Sequence, residues 1–267
     1  MRILRPWAER CRTVISTMRD KKKLQKFGAV LLTLAIWQAA AMALDQKLLL
    51  ASPLSVLARL ASIWQEPAFF SSVWFSFIRI VGGFGLALVL GVLLAILAGK
   101  FPVLETFFWP VFTAIKSVPV ASFIIISLIW LTSSELSIFI SFLMVLPIVY
   151  TNVLEGIRST DRKMTEMADV FHIPWNRRLM YIWLPQIRPY LISACSMSLG
   201  LSWKAGIAAE IIGIPDGSIG EMLYNAKAYL NTVDLFAWTV IIVAISVTFE
   251  KLFLALLRYG FRKLVRV

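Results

Sequence analysis

His172 is the only histidine in this chain, and that restricts its chemistry at once. No HExxH zinc motif is present, and no Ser, His and Asp fall in an arrangement that reads as a nucleophilic triad. A phosphate loop of the form GxxxxGKS or GxxxxGKT is also missing, so the chain is expected to hydrolyse no ATP itself. The two cysteines, Cys11 and Cys195, lie far apart with no CxxC or Cys/His grouping, which indicates neither a metal site nor a disulfide framework. No catalytic residue, no metal ligand and no cofactor are expected in this chain. His172 reads as a turn residue.

What remains is charge placed in apolar surroundings. Arg79, Lys204 and Glu210 each interrupt or border a long uncharged run. An unpaired charge in hydrocarbon is costly, so each is expected to face the bundle interior, an aqueous cavity or an interface. In one reading Arg79 or Lys204 attracts an anionic solute. In the preferred structural reading Glu210 pairs with a basic residue, or Arg79 sits at the outer headgroups.

The elements that must position these residues are membrane spans. Hydrophobic residues make up 59% of the 267 residues and charged ones only 16%, and several uncharged runs approach the ~20 residues that cross a ~30 Å hydrocarbon core. The fold class is therefore all-α: a polytopic membrane bundle of about six helices. The expected spans are 27–44, 73–99, 117–134, 136–154, 189–214 and 235–257. They form a permease domain at 27–257, flanked by basic tails at 1–26 and 258–267. Residues 54–64 read as a short interfacial helix, 100–116 as a connection, and 155–188 as a long polar loop. The tail 1–26 has no short apolar core followed by a cleavage site, so it is no signal peptide. In the second span Gly83, Ala87, Gly91, Ala95 and Gly99 recur every four residues, a stripe of small side chains that lets another helix approach closely.

Charge then orients the spans. The basic residues number 27 against 15 acidic ones. Of the basic residues, 22 fall in the N-terminal tail, in 100–116, in 155–188 and from Lys251 to the C-terminus, and three (Lys47, Arg59 and Lys227) fall on the opposite face. Lys and Arg collect in cytoplasmic loops, so both termini and the 155–188 loop are expected in the cytoplasm. The same distribution argues against nucleic-acid binding, because the charge follows membrane topology.

The 155–188 loop contains EMADVFHIPWNRRLMYIWLP, from Glu166 to Pro185. Asp161 to Phe171 fits one short helix with Thr160 as N-cap, and Pro174 suits the first turn of a second helix ending near Leu184-Pro185. Such a helix–turn–helix offers a rigid lever to a cytoplasmic partner. The segment resembles the EAA loop of ATP-binding-cassette importer permeases: EAA, three residues, Gly, nine residues, Ile, any residue, Leu-Pro. Glu166, Ala168, Ile182, Leu184 and Pro185 fall in register, while Met167 replaces an Ala and His172 stands where the family has Gly. A turn glycine with φ > 0 is thus replaced by a residue that adopts it less readily. WKAGIAAEIIG (203–213), LLASPLSVLARL (49–60) and FIRIVGGFGLALVLG (77–91) are similar to segments of nitrate, sulfonate and taurine permeases.

That resemblance implies a type I importer permease in the bacterial inner membrane. It implies a homodimer of permease copies and two separate ATPase subunits that bind ATP and Mg. It also implies an extracytoplasmic solute-binding protein on the outer face, where 214–231 lies, and membrane lipid around the bundle. Glu166, Ala168, Asp169, His172, Trp175, Arg177, Arg178, Leu184 and Pro185 would then form the ATPase-coupling loop, with Glu166 in contact and Trp175, Arg177 and Arg178 lining it. The alternative class is a secondary transporter or channel, which leaves that loop unexplained.

Overall fold

A computed structural model of the chain describes residue 25, residues 28–43 and residues 50–265. The basic tail 1–26, Cys11 and Lys47 lie outside them, Gln25 apart. Among the described residues there are helices and no strands. The bundle is all-α, as expected of a membrane permease.

Helix α1, Gly28–Ala43, is a short apolar helix lying within the expected first span, 27–44, and is shorter than a helix that crosses a membrane individually. Helix α2, Pro53–Ser62, starts where Ser52 accepts the Ser55 amide and Pro53 needs no hydrogen bond. It continues as a tight turn, Ile63–Gln65, and leads into α3, Phe69–Lys100. Among the described residues three helices are long and apolar enough to cross a membrane individually: α3; α6, Ser133–Arg158; and α11, which runs Thr232–Val265. The segment expected as a basic tail, 258–267, therefore continues α11 as far as Val265.

The third span departs from expectation in a definite way. Residues 100–116 are not a connection: Pro102–Ser117 is helix α4. A proline at the first helical position and Glu105 in the first turn look like loop residues in sequence, yet both suit a helix N-terminus. The expected span 117–134 is only the eight-residue helix α5, Val120–Ser127, bent by 102° from α4. Pro119 causes the break, because it removes an amide donor and drives Val118 to an extended conformation (ψ 134°). Helices α4 and α5 together are apolar enough to enter a membrane as one sharply bent pair. Helix α6 then opens with a capping box, in which Glu135 accepts the Thr132 amide at 3.1 Å.

The core lies where α3, α6 and α9 (Leu184–Gly213) meet. The small stripe of α3 does pack on another helix, and that helix is α6. A Cβ on Gly83 would lie 2.3 Å from the Ile138 carbonyl oxygen, and one on Gly91 would lie 2.9 Å from the Val149 side chain. Ala87 between them is fully buried. Buried serines join the same helices, with the Ser141 hydroxyl donating to the Ser202 carbonyl at 3.1 Å. Close approach of small and hydroxyl residues is how helices associate where lipid removes the hydrophobic drive. Helix α6 has 61% of its apolar window buried and α11 only 6%, so α6 is the central post and α11 lies at the periphery.

Helix α9 ends at Ile214, whose φ of 46° turns the chain back. Helix α10, Ile219–Ala228, then folds onto α3, α9 and α11. The end of the bundle with the 155–188 loop is hereafter the loop end, and the end with α2 and α10 the far end. At the far end Arg59 of α2 forms ion pairs with Glu66 and with Asp234 of α11. The Asp234 hydrogen bond, then that of Glu66, raises the Arg59 pKa further despite partial burial.

Candidate functional site

The loop between α6 and α9 is built from two arms. The first is α7, Arg162–Val170, capped by Asp161, whose carboxylate accepts the Lys163 amide at 2.9 Å. Thr160, the expected cap, instead donates its hydroxyl toward the Gly156 carbonyl. The Asp161 amide reaches across to Gln186 Oε1 at 2.8 Å, which ties the start of the loop to the base of α9.

His172 forms the turn with φ 47°, the left-handed conformation that glycine adopts without cost. The helix–turn–helix thus forms with a histidine at its apex. For a residue with a Cβ that conformation costs roughly 1–2 kcal/mol. His172→Gly is expected to raise protection of 168–178 against hydrogen exchange by a few fold, and β-branched His172→Val to lower it by about tenfold. Unchanged protection in both variants would show that the turn carries no strain.

The second arm begins with Pro174 as N-cap and α8, Trp175–Arg178, followed by a π turn, Leu179–Trp183. It does not end at Leu184-Pro185 as expected, but runs straight on into α9. Pro185 can donate no amide hydrogen to the Tyr181 carbonyl, and its ring presses on that carbonyl. The wider π turn accommodates both without breaking the helix. Leu184 and Pro185 therefore form the first turn of α9.

The candidate residues divide by where their side chains lie. Arg178 faces the loop itself: Nε donates to the Ile173 carbonyl at 2.8 Å, Nη2 donates to the Ala168 carbonyl at 2.8 Å, and Nη1 pairs with Asp169. It clamps the two arms together and lines no outward contact. Ala168 is buried between them. Glu166 is exposed and accepts from Arg162 Nε at 3.0 Å, and Arg177 is exposed. Trp175 stands edge-on to Trp183, 4.8 Å between ring centres, and is 59% exposed. At the end of α7, Met167, Val170 (74%) and Phe171 (72%) are also exposed. Of these four apolar residues only Trp175 stands out in the sequence, where charge dominates the loop. The apolar residues on one side of an otherwise polar α7 were the available signal.

The three charges within the spans separate as well. Glu210 is fully buried, and among the described residues it has no ion pair, so the expected basic partner is absent. Its Oε2 accepts the Ser76 hydroxyl at 2.6 Å and the Gly220 amide at 3.3 Å, while Ser76 accepts the Ile219 amide at 3.0 Å. The carboxylate thus sits at the N-terminus of α10, where backbone amides and the helix dipole favour negative charge. Arg79 donates from Nε to the Ser134 carbonyl at 2.7 Å and lies 3.5 Å over the Phe75 ring. Lys204 is exposed on the face of α9 that the chain leaves uncovered, with no ion pair among the described residues.

Comparison with known proteins agrees with this architecture. Residues 87–266 match the family described as binding-protein-dependent transport system inner membrane component. A protein of Bacillus subtilis (strain 168), provisionally described as an aliphatic sulfonates transport permease, is 27% identical over 216 residues, covering 80% of this chain and 78% of the relative. The taurine transport system permease protein of Escherichia coli (strain K12) is 27% identical over 228 residues, covering 83% and 82%. The bicarbonate transport system permease protein of Synechococcus elongatus is 25% identical over 190 residues, covering 71% and 68%.

Proposed function

The chain belongs to the family of binding-protein-dependent transport system inner membrane components, and from that premise we propose that it forms the solute pathway of an ATP-driven importer and takes its drive from a separate ATPase docked on the 155–188 loop. The observation that carries this reading is the patch of Met167, Val170, Phe171 and Trp175, exposed on a loop whose arms are clamped by Arg178. Large apolar side chains grouped on an exposed, rigid projection mark a protein interaction site. A clamped loop continuous with α9 passes a partner's movement into the core instead of absorbing it.

In this reading the loop and both termini face the cytoplasm, and the charge distribution of the sequence supports that side. A second copy of the chain completes the pathway, covering membrane-facing surface that α11 leaves open. An extracytoplasmic binding protein meets the far end. In this reading Lys204, exposed on the open face of α9, meets solute, and the relatives named for sulfonates and bicarbonate support a small anion. ATP and Mg belong to the partner.

Purification of the chain from its native membranes in mild detergent tests the docking. An ATP-binding-cassette ATPase is expected in equal amount. Glu166→Arg, which reverses charge on the exposed side of α7, is expected to reduce that recovery by roughly tenfold or more. Recovery of the chain without any ATPase, under conditions that preserve other such complexes, would favour a secondary transporter or channel.

A further inference from the structure

Helices α4 and α6 do not close on each other along their full length. A cavity of about 310 Å³ separates them, lined by Glu105, Trp109, Phe112 and Lys116 of α4 and by Tyr150 and Glu155 of α6, among others. It runs from the loop-end rim, where Arg158 is paired with Glu105, toward the bend at Val118-Pro119. Lys116 is in the last turn of α4, roughly 16 Å along the helix from Glu105. The sequence suggests a loop connection there, and the structure instead puts Lys116 on α4 as an exposed residue lining the end of the cavity nearest the bend.

The polar groups of this cavity differ in whether they have partners. The Thr113 and Thr151 hydroxyls donate to carbonyls of their own helices, and Glu105 and Arg158 hold each other. Tyr150 is only 3% exposed, its ring lies 4.5 Å from that of Phe112, and its hydroxyl is buried without a hydrogen-bond partner. Buried hydroxyls are nearly always paired, so this one lacks an occupant for its site. The Lys116 ammonium and the Glu155 carboxylate have no ion pair among the described residues. An unpaired cation and a free hydroxyl thus stand toward the inner end, and an unpaired carboxylate stands toward the rim.

We propose that this cavity binds a small zwitterion, with its anionic group held by Lys116 and the Tyr150 hydroxyl and its N–H-bearing ammonium held by Glu155. A simple anion fits the charge less well. The four charged side chains of the cavity sum to zero, and an anion alone would leave Glu155 unanswered beside it. Its volume is at the small end of ligand pockets. A free amino-acid-like solute and the headgroup of phosphatidylethanolamine share this chemistry.

The full chain in phosphatidylcholine nanodiscs is titrated calorimetrically with 3-aminopropanesulfonate and with propanesulfonate. The aminosulfonate is expected to bind at least tenfold more tightly. Lys116→Met and Tyr150→Phe are each expected to weaken it by roughly tenfold, the latter with the ring packing kept. Glu155→Gln is expected to abolish the preference for the amine. If neither sulfonate binds, a rise in melting temperature on exchange into phosphatidylethanolamine, lost in Lys116→Met and Tyr150→Phe, supports the site with lipid as its occupant. Equal affinity for the two sulfonates, indifference to both variants, or no response to either sulfonate or to phosphatidylethanolamine overturns the proposal. All readings are taken on the chain alone, so they stand apart from any failure to recover an ATPase.

Discussion

Arg178→Met is expected to loosen the α6–α9 loop and abolish most ATP-driven uptake while leaving the bundle folded. The substitution keeps an unbranched side chain but removes two hydrogen bonds to the Ala168 and Ile173 carbonyls and the ion pair with Asp169. Those carbonyls flank the turn held by His172, so Arg178 ties the end of α7 to α8 beyond the turn's own backbone hydrogen bonds. Hydrogen bonds from a charged donor contribute about 1.5–3 kcal/mol each, and the Arg178 side chain is 20% exposed, so a combined local loss of about 3 kcal/mol is reasonable. That corresponds to roughly a hundredfold faster hydrogen exchange across 168–178, with little change in the melting temperature of the spans. Arg178→Lys restores charge but not the planar fork and is expected to rescue little. Unchanged exchange in Arg178→Met would remove the clamp from the account, whatever happened to uptake.

The second large effect is expected at Gly220. A Cβ there would lie 2.2 Å from Glu210 Cβ, 2.4 Å from the Glu210 carbonyl carbon and 2.7 Å from the Ile211 nitrogen. Two of these are backbone atoms, so no rotamer change relieves the clash. In Gly220→Ala the start of α10 must retreat from α9, which parts the Gly220 amide from Glu210 and the Ile219 amide from Ser76. Overpacking together with unmade hydrogen bonds to a buried carboxylate costs about 3 kcal/mol or more. Loss of monodisperse protein in detergent, or a fall in melting temperature of several degrees, is the expected result. Gly200→Ala is the control: it lies on α9, the helix that Gly220 approaches, and a Cβ there meets nothing within 4 Å. Equal melting temperatures for the two variants would contradict the close approach of α10.

These cases mark what a sequence discloses and where it stops. The four-residue recurrence of Gly83, Ala87 and Gly91 was readable because packing of small residues depends only on spacing, and the structure supplies α6 as the partner. The turn at His172 was readable because flanking helical segments forced a reversal there, even though its φ favours glycine. Three features were not readable, for physical reasons. The partner of Glu210 is a pair of backbone amides relayed in part through Ser76, and every residue type has an amide. Arg178 was read outward with Arg177, because adjacent arginines look alike until the helix phase separates their directions. Lys116 was read as a loop residue because the charges and prolines of 100–116 suggest a connection, whereas Pro102 starts a helix and the break comes only at Pro119.

The π turn at Leu179–Trp183 has a consequence for rotation. One residue more than an α turn needs advances everything beyond it by about 100° around the helix axis. Trp175 on one side of that turn and Lys204 on the other belong to a single rod from Trp175 to Gly213, and the extra residue sets the angle between the directions they face. Tightening the turn to α geometry would twist α8 against α9 without shortening the rod much. The junction therefore behaves as a crank whose phase is fixed by one residue, sitting where Pro185 keeps the turn wide.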